Sequence, residues 1–366
     1  MRLGDANISA KAIVSQKELI QTQHFNFHTQ APLANLILSS TSSLATAIMS
    51  TVIVFGPTGH VGSHAALSAH HFGAAKVILA MRDPSKPIPG LTSTEESSRS
   101  FQRVKADLSD PASLTSAVSS TGATRAFLYH NQASTDHMRS ALEALKAGGI
   151  TFVTFLSTGG ILPGTDLSSL DPKENLIYWL HAQVELNIIS IFGKENYVSV
   201  RPAFFATNSF LWKAMIPTGK VKVFAPDMKV DWIAPSDIGR VSASILVNGP
   251  KEGYKEAVWL VGPQKVSLAE GVRKIVKAAT GKEAEIEEVE GEEQLEIYTR
   301  VGVPRPVAAH LVESFGKLRA LQADGGDWLP SGEEFDAQVR NVEVYTGRKA
   351  QTLEEWIEEH KGEFAA

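Results

Sequence analysis

Short apolar runs alternate with stretches of helical spacing from Thr51 onward. The first run, TVIVF, is continuously apolar, which is typical of a strand in a parallel sheet that helices cover on both faces. Strands that alternate with helices predict a doubly wound α/β fold with a parallel sheet. The predicted strands are Thr51–Phe55, Lys76–Met81, Phe101–Lys105, Arg125–Tyr129, Thr151–Leu156 and Tyr197–Val200.

Helices are predicted between these strands and after the last of them. They span Val61–Phe72, Asp110–Val118, Ser134–Ala147, Asn175–Phe192, Ser236–Val247 and Leu268–Ala279. After Arg201 the alternation is looser, and Val221–Phe224 and Val230–Ile233 are predicted to form a pair of short strands. Ala257–Val261 is predicted as a late strand, and the Ser/Thr/Pro-rich segment Asp83–Ser100 as a long surface loop.

Composition narrows the classes of function. The net charge of −5 argues against a protein that binds nucleic acid, because a phosphate-binding surface would be basic. The chain has no cysteine, which excludes disulfides, thiolate metal sites and cysteine nucleophiles and fits a cytoplasmic location. The acidic segment Glu283–Glu296 is predicted to be a solvated face beside a strand and a helix.

Residues 1–48 differ from the rest of the chain. They are rich in Ser, Thr, Gln and Ala, and no charged side chain occurs between Glu18 and Lys76. Polar residues at Ser39–Ser43 interrupt the apolar stretch, so no membrane-spanning helix is predicted. A transit peptide needs several arginines, and only Arg2 is present. We therefore expect residues 1–48 to be a disordered extension, with a targeting segment as the alternative.

The most informative motif is the glycine loop Gly56-Pro57-Thr58-Gly59-His60-Val61-Gly62 between the first strand and the first helix. Here Gly56 can make the tight turn, Gly59 lets the backbone approach a pyrophosphate, and Gly62 lets the helix pack closely on the sheet. The helix N-terminus offers free N–H groups to the phosphates. The alternative is a strand–helix turn with fortuitous glycines, because the spacing is G-x-x-G-x-x-G.

The end of the second strand indicates which nicotinamide cofactor binds. Arg82 stands where an NAD site usually has a carboxylate, and a guanidinium there suits the 2′-phosphate of NADP. Lys86 adds charge, whereas Asp83 would be able to reach the ribose. We therefore expect NADP (NADPH), with NAD less favoured and an ordinary surface arginine as the alternative.

The third and fourth strands supply further candidates. Asp107-Leu108 follows the third strand and suits the adenine amino group, although Asp107 would also serve as a helix cap. The candidate cofactor-binding residues are Gly56, Thr58, Gly59, His60, Val61, Gly62, Arg82, Asp107, Leu108, Tyr129 and His181. His60 and His64 have the spacing of a metal pair, but no third ligand is evident, and no metal is expected.

The sequence resembles the NmrA-like branch of the atypical short-chain dehydrogenases/reductases over Thr51–Thr280. The matching segments are GPTGHVGS, MRDPSK, ADLSDPASL, YWLHAQVEL, SVRPAFFATNSF, SDIGRVSASIL and LVGPQ. The resemblance implies a Rossmann-like sheet, a small α+β C-terminal substrate lobe and NADP binding. We expect a dinucleotide-binding domain at 49–202, to which about 236–262 returns, and a substrate lobe with C-terminal helices at 203–366.

Catalysis is the open question. Short-chain reductases use a Tyr-x-x-x-Lys pair and a serine at the end of the fifth strand, where Ser157 stands here. The pair is incomplete, because alignment on HAQVE puts His181 at the lysine position and Ile177 at the tyrosine position. Tyr178 and His181 share a helix face, with Glu185 placed to orient the imidazole, so Tyr178, His181 and Ser157 are the catalytic candidates. The alternative is that Tyr178 packs in the core and His181 only contacts cofactor.

Two functions follow from these candidates. The first is an NADPH-dependent reductase of a small, fairly apolar carbonyl or enone. Phe204, Phe205, Phe210 and Trp212 would wall its pocket or belong to the core. The second is a non-catalytic NADP sensor that binds a regulatory protein partner, as some members of the family do. Neither hypothesis involves nucleic acid or a membrane.

Overall fold

The computed structural model describes residues 50–97, 100–251, 253 and 256–365, so the extension predicted at residues 1–48 lies outside the described residues. The strands are β1 (Thr51–Phe55), β2 (Lys76–Met81), β3 (Phe101–Lys105), β4 (Arg125–Tyr129), β5 (Phe152–Leu156), β6 (Tyr197–Pro202), β7 (Lys220–Val223), β8 (Lys229–Val230), β9 (Ala257–Leu260), β10 (Val266–Ser267) and β11 (Glu285–Glu288). The helices are α1 (His60–His71), α2 (Ser93–Ser97), α3 (Pro111–Thr121), α4 (Arg139–Gly148), α5 (Leu176–Phe192), α6 (Pro235–Asn248), α7 (Leu268–Thr280), α8 (Gly291–Arg300), α9 (Arg305–Ala323), α10 (Gly332–Thr346) and α11 (Leu353–Phe364).

Seven strands form one parallel sheet in the order β3-β2-β1-β4-β5-β6-β9. The strand order reverses between β1 and β4, and ligands of such sheets bind in the crevice outside the carboxyl ends of the strands at that point. This sheet confirms the predicted Rossmann-like α/β fold. The late strand predicted near Ala257 joins its edge as β9.

Strand β1 shows why a central strand of the sheet is largely apolar. Val52 and Val54 pack with α1, α6 and α10, whereas Ile53 and Phe55 pack on the opposite face with α3, α4 and α5. All four side chains are at most 2% exposed. Burial of each such side chain contributes about 1.5–3 kcal/mol, so both faces of the sheet are strongly stabilised.

The two short strands predicted at Val221–Phe224 and Val230–Ile233 form as β7 and β8, but they do not pair with each other. β7 instead runs parallel to β11, and β8 runs antiparallel to β10. The reason lies in the chain that leaves β6: Ile233 N donates to Phe204 O, and Ala206 N donates to Ile233 O, each at 2.8 Å. The second segment therefore uses its backbone groups beside the main sheet. The acidic stretch forms the exposed β11 and the start of α8, as predicted.

The C-terminal lobe has a core of its own. Trp212, Phe224, Trp232 and Trp356 are at most 1% exposed and pack among the short sheets, α7, α8, α9 and α11. Helix α10 belongs elsewhere, because Asn341 Nδ2 donates to the carbonyl of Trp259 in β9 at 2.8 Å. No helix in the described part of the chain is long and apolar enough to cross a membrane.

Candidate nucleotide and substrate site

The glycine loop turns sharply between β1 and α1. Gly56 has φ +69°, a left-handed conformation that favours glycine. The amide of Gly59 donates to Gly56 O at 3.0 Å and closes the turn. A Cβ at Gly62 would lie 2.1 Å from Gly56 O, so only glycine allows the helix to start this close to the loop.

The start of α1 fits a phosphate group. α1 has no side-chain cap at Gly59, which is also true of α4, α6, α8, α9 and α10, whereas α3, α5, α7 and α11 are capped by a side chain. The first N–H groups of a helix have no intrahelical partner and carry partial positive charge. A Cβ at Gly59 would meet only Gly56 O, at an ordinary 3.5 Å, so the protein itself does not require glycine there. Close approach of a ligand would explain the glycine.

A cavity of about 200 Å³ beside this loop brings several predicted cofactor residues together. It is lined by Gly56, Thr58, Arg82, Asp107, Leu108 and Tyr129, among others. The Tyr129 ring covers the turn, since its Cε1 would lie 2.7 Å from a Cβ on Gly56. Burial raises the pKa of the Tyr129 hydroxyl, which remains protonated at neutral pH.

The two aspartates near this cavity have distinct roles. Asp110, and not Asp107, caps helix α3, accepting hydrogen bonds from the amides of Ala112 and Ser113. Asp107 accepts a hydrogen bond from Ser109 N at 2.9 Å while it lines the cavity. The alternative role of Asp107 as the helix cap is therefore wrong.

His60 and Val61 lie in the loop, but their side chains are elsewhere. The His60 ring contacts Phe210, with 5.4 Å between centroids, and Phe210 in turn contacts Phe364 of α11 at 5.0 Å. Val61 is 8% exposed and packs in the core under the sheet. The backbone amides of these two residues stand in the first turn of α1.

A larger cavity of about 480 Å³ lies at the carboxyl ends of β5 and β6. Tyr178 and His181 of α5 both line it, together with Thr158, Phe204 and Phe205. Gln132 also lines this cavity, and its neighbours Asn131 and Ala133 line the smaller one, so the segment after β4 borders both cavities. Of the other predicted wall residues, Phe210 lines an adjoining cavity of about 320 Å³, and Trp212 is fully buried in the lobe.

Ser157 is placed differently from the expectation. It is 5% exposed, and its hydroxyl donates to Glu185 Oε1 at 2.6 Å. Glu185 is also ion-paired with Arg201, with 2.7 Å between Oε2 and Nη2, and both side chains are buried. The structure therefore does not bring the Ser157 hydroxyl to Tyr178 and His181; the neighbouring Thr158 lines the cavity instead.

The expected contact between Glu185 and the imidazole of His181 is also replaced. His181 Nδ1 lies 2.8 Å from the carbonyl of Ile177, which can only accept a hydrogen bond, so Nδ1 carries a proton. Burial lowers the pKa of His181, so the ring is neutral at physiological pH and Nε2 is an acceptor. Tyr178 lies against Gly160, and burial raises the pKa of its hydroxyl.

Sequence reasoning missed several residues that line the cavity or lie beside residues that line it. His130 follows β4 directly, and its ring centroid lies 5.1 Å from that of His181. Burial, and secondarily the neighbouring His181, lower the pKa of His130 to about 4. Helix α9 crosses the cavity, and its His310 accepts a hydrogen bond at Nε2 from Leu176 N at 2.9 Å. The apolar spacing of Leu311, Phe315 and Leu318 was the available signal for this helix.

The seven-stranded parallel sheet, whose strand order reverses between β1 and β4, defines a Rossmann-like α/β fold. The chain belongs to the NmrA-like family, whose model matches residues 49–357. It is 37% identical over 326 residues to the nitrogen metabolite regulation-like protein bik4 of Gibberella fujikuroi, covering 84% of this chain and 95% of that relative. It is 23% identical over 165 residues to the prestalk A differentiation protein A of Dictyostelium discoideum, covering 44% and 50% of the two chains.

Solved structures with the same fold include two reductases. The NADPH-dependent quinone oxidoreductase QOR2 from Escherichia coli, complexed with NADPH, has a TM-score of 0.62 at 19% identity, with 84% of this chain and 99% of that chain covered. The triphenylmethane reductase of Citrobacter sp., complexed with NADP(H), has a TM-score of 0.58 at 16% identity, with 87% and 100% covered. At this level of identity the similarity shows the fold.

Proposed function

We propose that this protein is an NADPH-dependent reductase of a small, largely apolar carbonyl or enone. The observation that carries the proposal is the larger cavity, in which Tyr178 and His181 face apolar walls beside the nucleotide loop's cavity. When bound, NADPH would supply the hydride for the reduction. The uncapped start of α1 and the side chain of Arg82 would hold its phosphates, and Asp107 its adenine.

Tyr178 is the better proton donor of the two candidates. Its raised pKa keeps the hydroxyl protonated at neutral pH, and an alkoxide is a much stronger base than a phenolate. The hydroxyl would give its proton to the oxygen of the reduced substrate and regain one from water. His181 has its proton on Nδ1, so Nε2 would accept a hydrogen bond from a ribose or substrate hydroxyl and hold it in place.

The walls of the cavity favour a neutral, apolar substrate. Phe204, Phe205, Phe315 and Trp328 supply rings, and no Lys, Arg, Asp or Glu side chain is among the described residues that line it. A carboxylate or phosphate would lose its hydration there without a cationic partner. Solved structures of similar fold include quinone, triphenylmethane-dye and isoflavone reductases, which supports a ring-containing carbonyl or enone.

The test is NADPH oxidation with a panel of neutral aldehydes, ketones, enones and quinones. We expect turnover with at least one compound, and Tyr178→Phe to lower kcat by about 100-fold or more, the usual effect of losing a general acid. The Kd for NADPH should not change. Tyr197→Phe makes the same chemical change at a buried position outside the cavity and is the matched control. Full activity of Tyr178→Phe would contradict the assigned role.

A second function is favoured by the incomplete Tyr-x-x-x-Lys pair and by the name of the relative bik4. In this case the protein would bind NADP(H) without turnover and change its contacts with a regulatory protein. Affinity capture with and without NADP(H) would then yield different partner sets, while the whole carbonyl panel stays unreacted. Turnover in the panel together with identical partner sets would exclude this function.

A further inference from the structure

We propose that Arg103, on the edge strand β3, is a positioning residue that sets the preference for NADPH over NADH. Together with Glu96 it would hold the loop after β2 in the shape that receives the 2′-phosphate. This inference rests on the proposed binding of NADPH. It concerns a residue that lies outside the cavity and outside the glycine loop.

The Arg103 side chain joins three parts of the segment between β2 and β3. Its Nη1 donates to the carbonyls of Pro84 at 2.7 Å and Lys86 at 2.6 Å. Its Nε and Nη2 bind the carboxylate of Glu96 in α2, with Nη2 3.2 Å from Oε2. The predicted surface loop at 83–100 is therefore fixed at both of its ends. A lysine has no planar fork of donors with which to make these contacts at once.

The same loop controls which groups face the ribose. Asp83, which would favour NAD if it reached the 2′-hydroxyl, accepts hydrogen bonds from Ser85 N at 3.0 Å and Ser85 Oγ at 2.6 Å. Ser85 lies between the two carbonyls that Arg103 holds. By fixing Ser85, the Arg103–Glu96 pair keeps the carboxylate of Asp83 turned back onto its own loop.

With Asp83 bound to Ser85, the positive groups are left to face a ligand. Arg82 lines the nucleotide cavity and makes no hydrogen bond or ion pair with any described residue. The hydrogen bonds from Ser85, and secondarily the charges of Lys86 and Lys105, hold the pKa of Asp83 below its ordinary value. Lys86 and Lys105 thus lie near Asp83 and partly offset its negative charge.

The experiment titrates the full chain with NADPH and NADH and compares the ratio of the two Kd values. We expect Arg103→Met to lower the preference for NADPH about tenfold, the loss of one charge-assisted contact, while NADH binding stays constant or improves because Asp83 is released. Arg103→Lys should not restore the ratio fully. Arg305→Met is the control, because it breaks another Arg–Glu pair with two hydrogen bonds, the exposed pair with Glu292.

Competition with adenosine 2′-monophosphate and adenosine 5′-monophosphate is the second readout. Arg103→Met should weaken the first and leave the second unchanged. Should Arg103→Met not fold, Glu96→Gln removes the charge of the partner and should shift the ratio in the same direction. If Arg103→Met weakens the binding of both dinucleotides equally, or leaves the ratio of their Kd values unchanged, the role of Arg103 is overturned while the proposed NADPH binding stands. A wild-type protein that binds neither dinucleotide would overturn the proposed NADPH binding as well, and one that binds both equally would overturn the preference that Arg103 is proposed to set.

Discussion

Gly59 and Gly62 of the nucleotide loop leave different amounts of space for a side chain, and substitution of each by alanine tests the two positions separately. At Gly62 a Cβ would lie 2.1 Å from Gly56 O and 2.7 Å from Gly56 C, well inside the 3.0 Å that Cβ atoms keep from other atoms. These are backbone atoms, so the loop or α1 must move. At Gly59 the nearest atom is 3.5 Å away, and φ is −90°, which any residue adopts.

The structure gives the size of the two effects. Forcing an extra methyl group into packed backbone costs about 1–3 kcal/mol, and replacing a helical glycine with alanine returns about 1 kcal/mol. Since the obstacle at Gly62 is rigid, we expect Gly62→Ala to lower the free energy of unfolding by about 1–2 kcal/mol. Gly59→Ala should lower it by at most about 0.5 kcal/mol, the effect of a poorer helix cap.

Urea unfolding followed by tryptophan fluorescence measures the free energy, and calorimetric titration measures NADPH binding. We expect Gly62→Ala to weaken both stability and binding. Gly59→Ala should weaken binding by about tenfold or more, because its methyl group would occupy the space of the pyrophosphate, with stability nearly unchanged. If Gly62→Ala has the same urea midpoint of unfolding as the wild-type protein, the packing argument is refuted. Unchanged NADPH binding by Gly59→Ala would refute the assignment of the loop.

Two further predictions concern buried polar groups. Ser157→Ala should lower the free energy of unfolding by about 1 kcal/mol and leave kcat unchanged. Glu185→Leu should lower the free energy of unfolding by about 3–5 kcal/mol, because it leaves Arg201 buried without its partner. Urea unfolding and NADPH oxidation test both variants, and a large loss of kcat in Ser157→Ala would indicate that the Ser157 hydroxyl takes part in catalysis. Burial raises the pKa of Asp231 from 3.8 to about 7. The folded protein therefore binds this proton more tightly than the unfolded chain does. As the pH rises from 3.8 to about 7, the contribution of Asp231 to the free energy of unfolding falls. Asp231→Asn should remove this part of the pH dependence of urea unfolding, and an unchanged pH profile would count against it.

The central sheet was predictable because its signal is local. In β1 each residue is apolar on one of two buried faces, and the turn glycines follow immediately, so the strand, loop and helix are readable from consecutive residues. The short strands of the lobe were not predictable in their pairing. The partner of β7 begins at Glu285, far along the chain, and nothing in the residues around Val221 specifies it.

The candidate site likewise has residues that the sequence could identify and residues whose roles depend on distant parts of the chain. Arg82 and Tyr178 stand at fixed distances from strand ends, and the structure places both in cavities. The roles of Ser157 and Glu185 depend on Arg201, which a different strand supplies, so helical spacing alone assigned Glu185 to the wrong neighbour. The contribution of Arg103 was equally hidden, because it acts on backbone carbonyls that carry no sequence signature.

The last turn of α11 has a practical consequence for anyone who handles the protein. Phe364 is fully buried and touches Phe210, which touches His60 at the first residue of the nucleotide helix. Loss of the Phe364 ring would therefore disturb the start of α1. Preparations that vary in NADPH affinity should therefore first be checked by mass spectrometry for an intact Phe364.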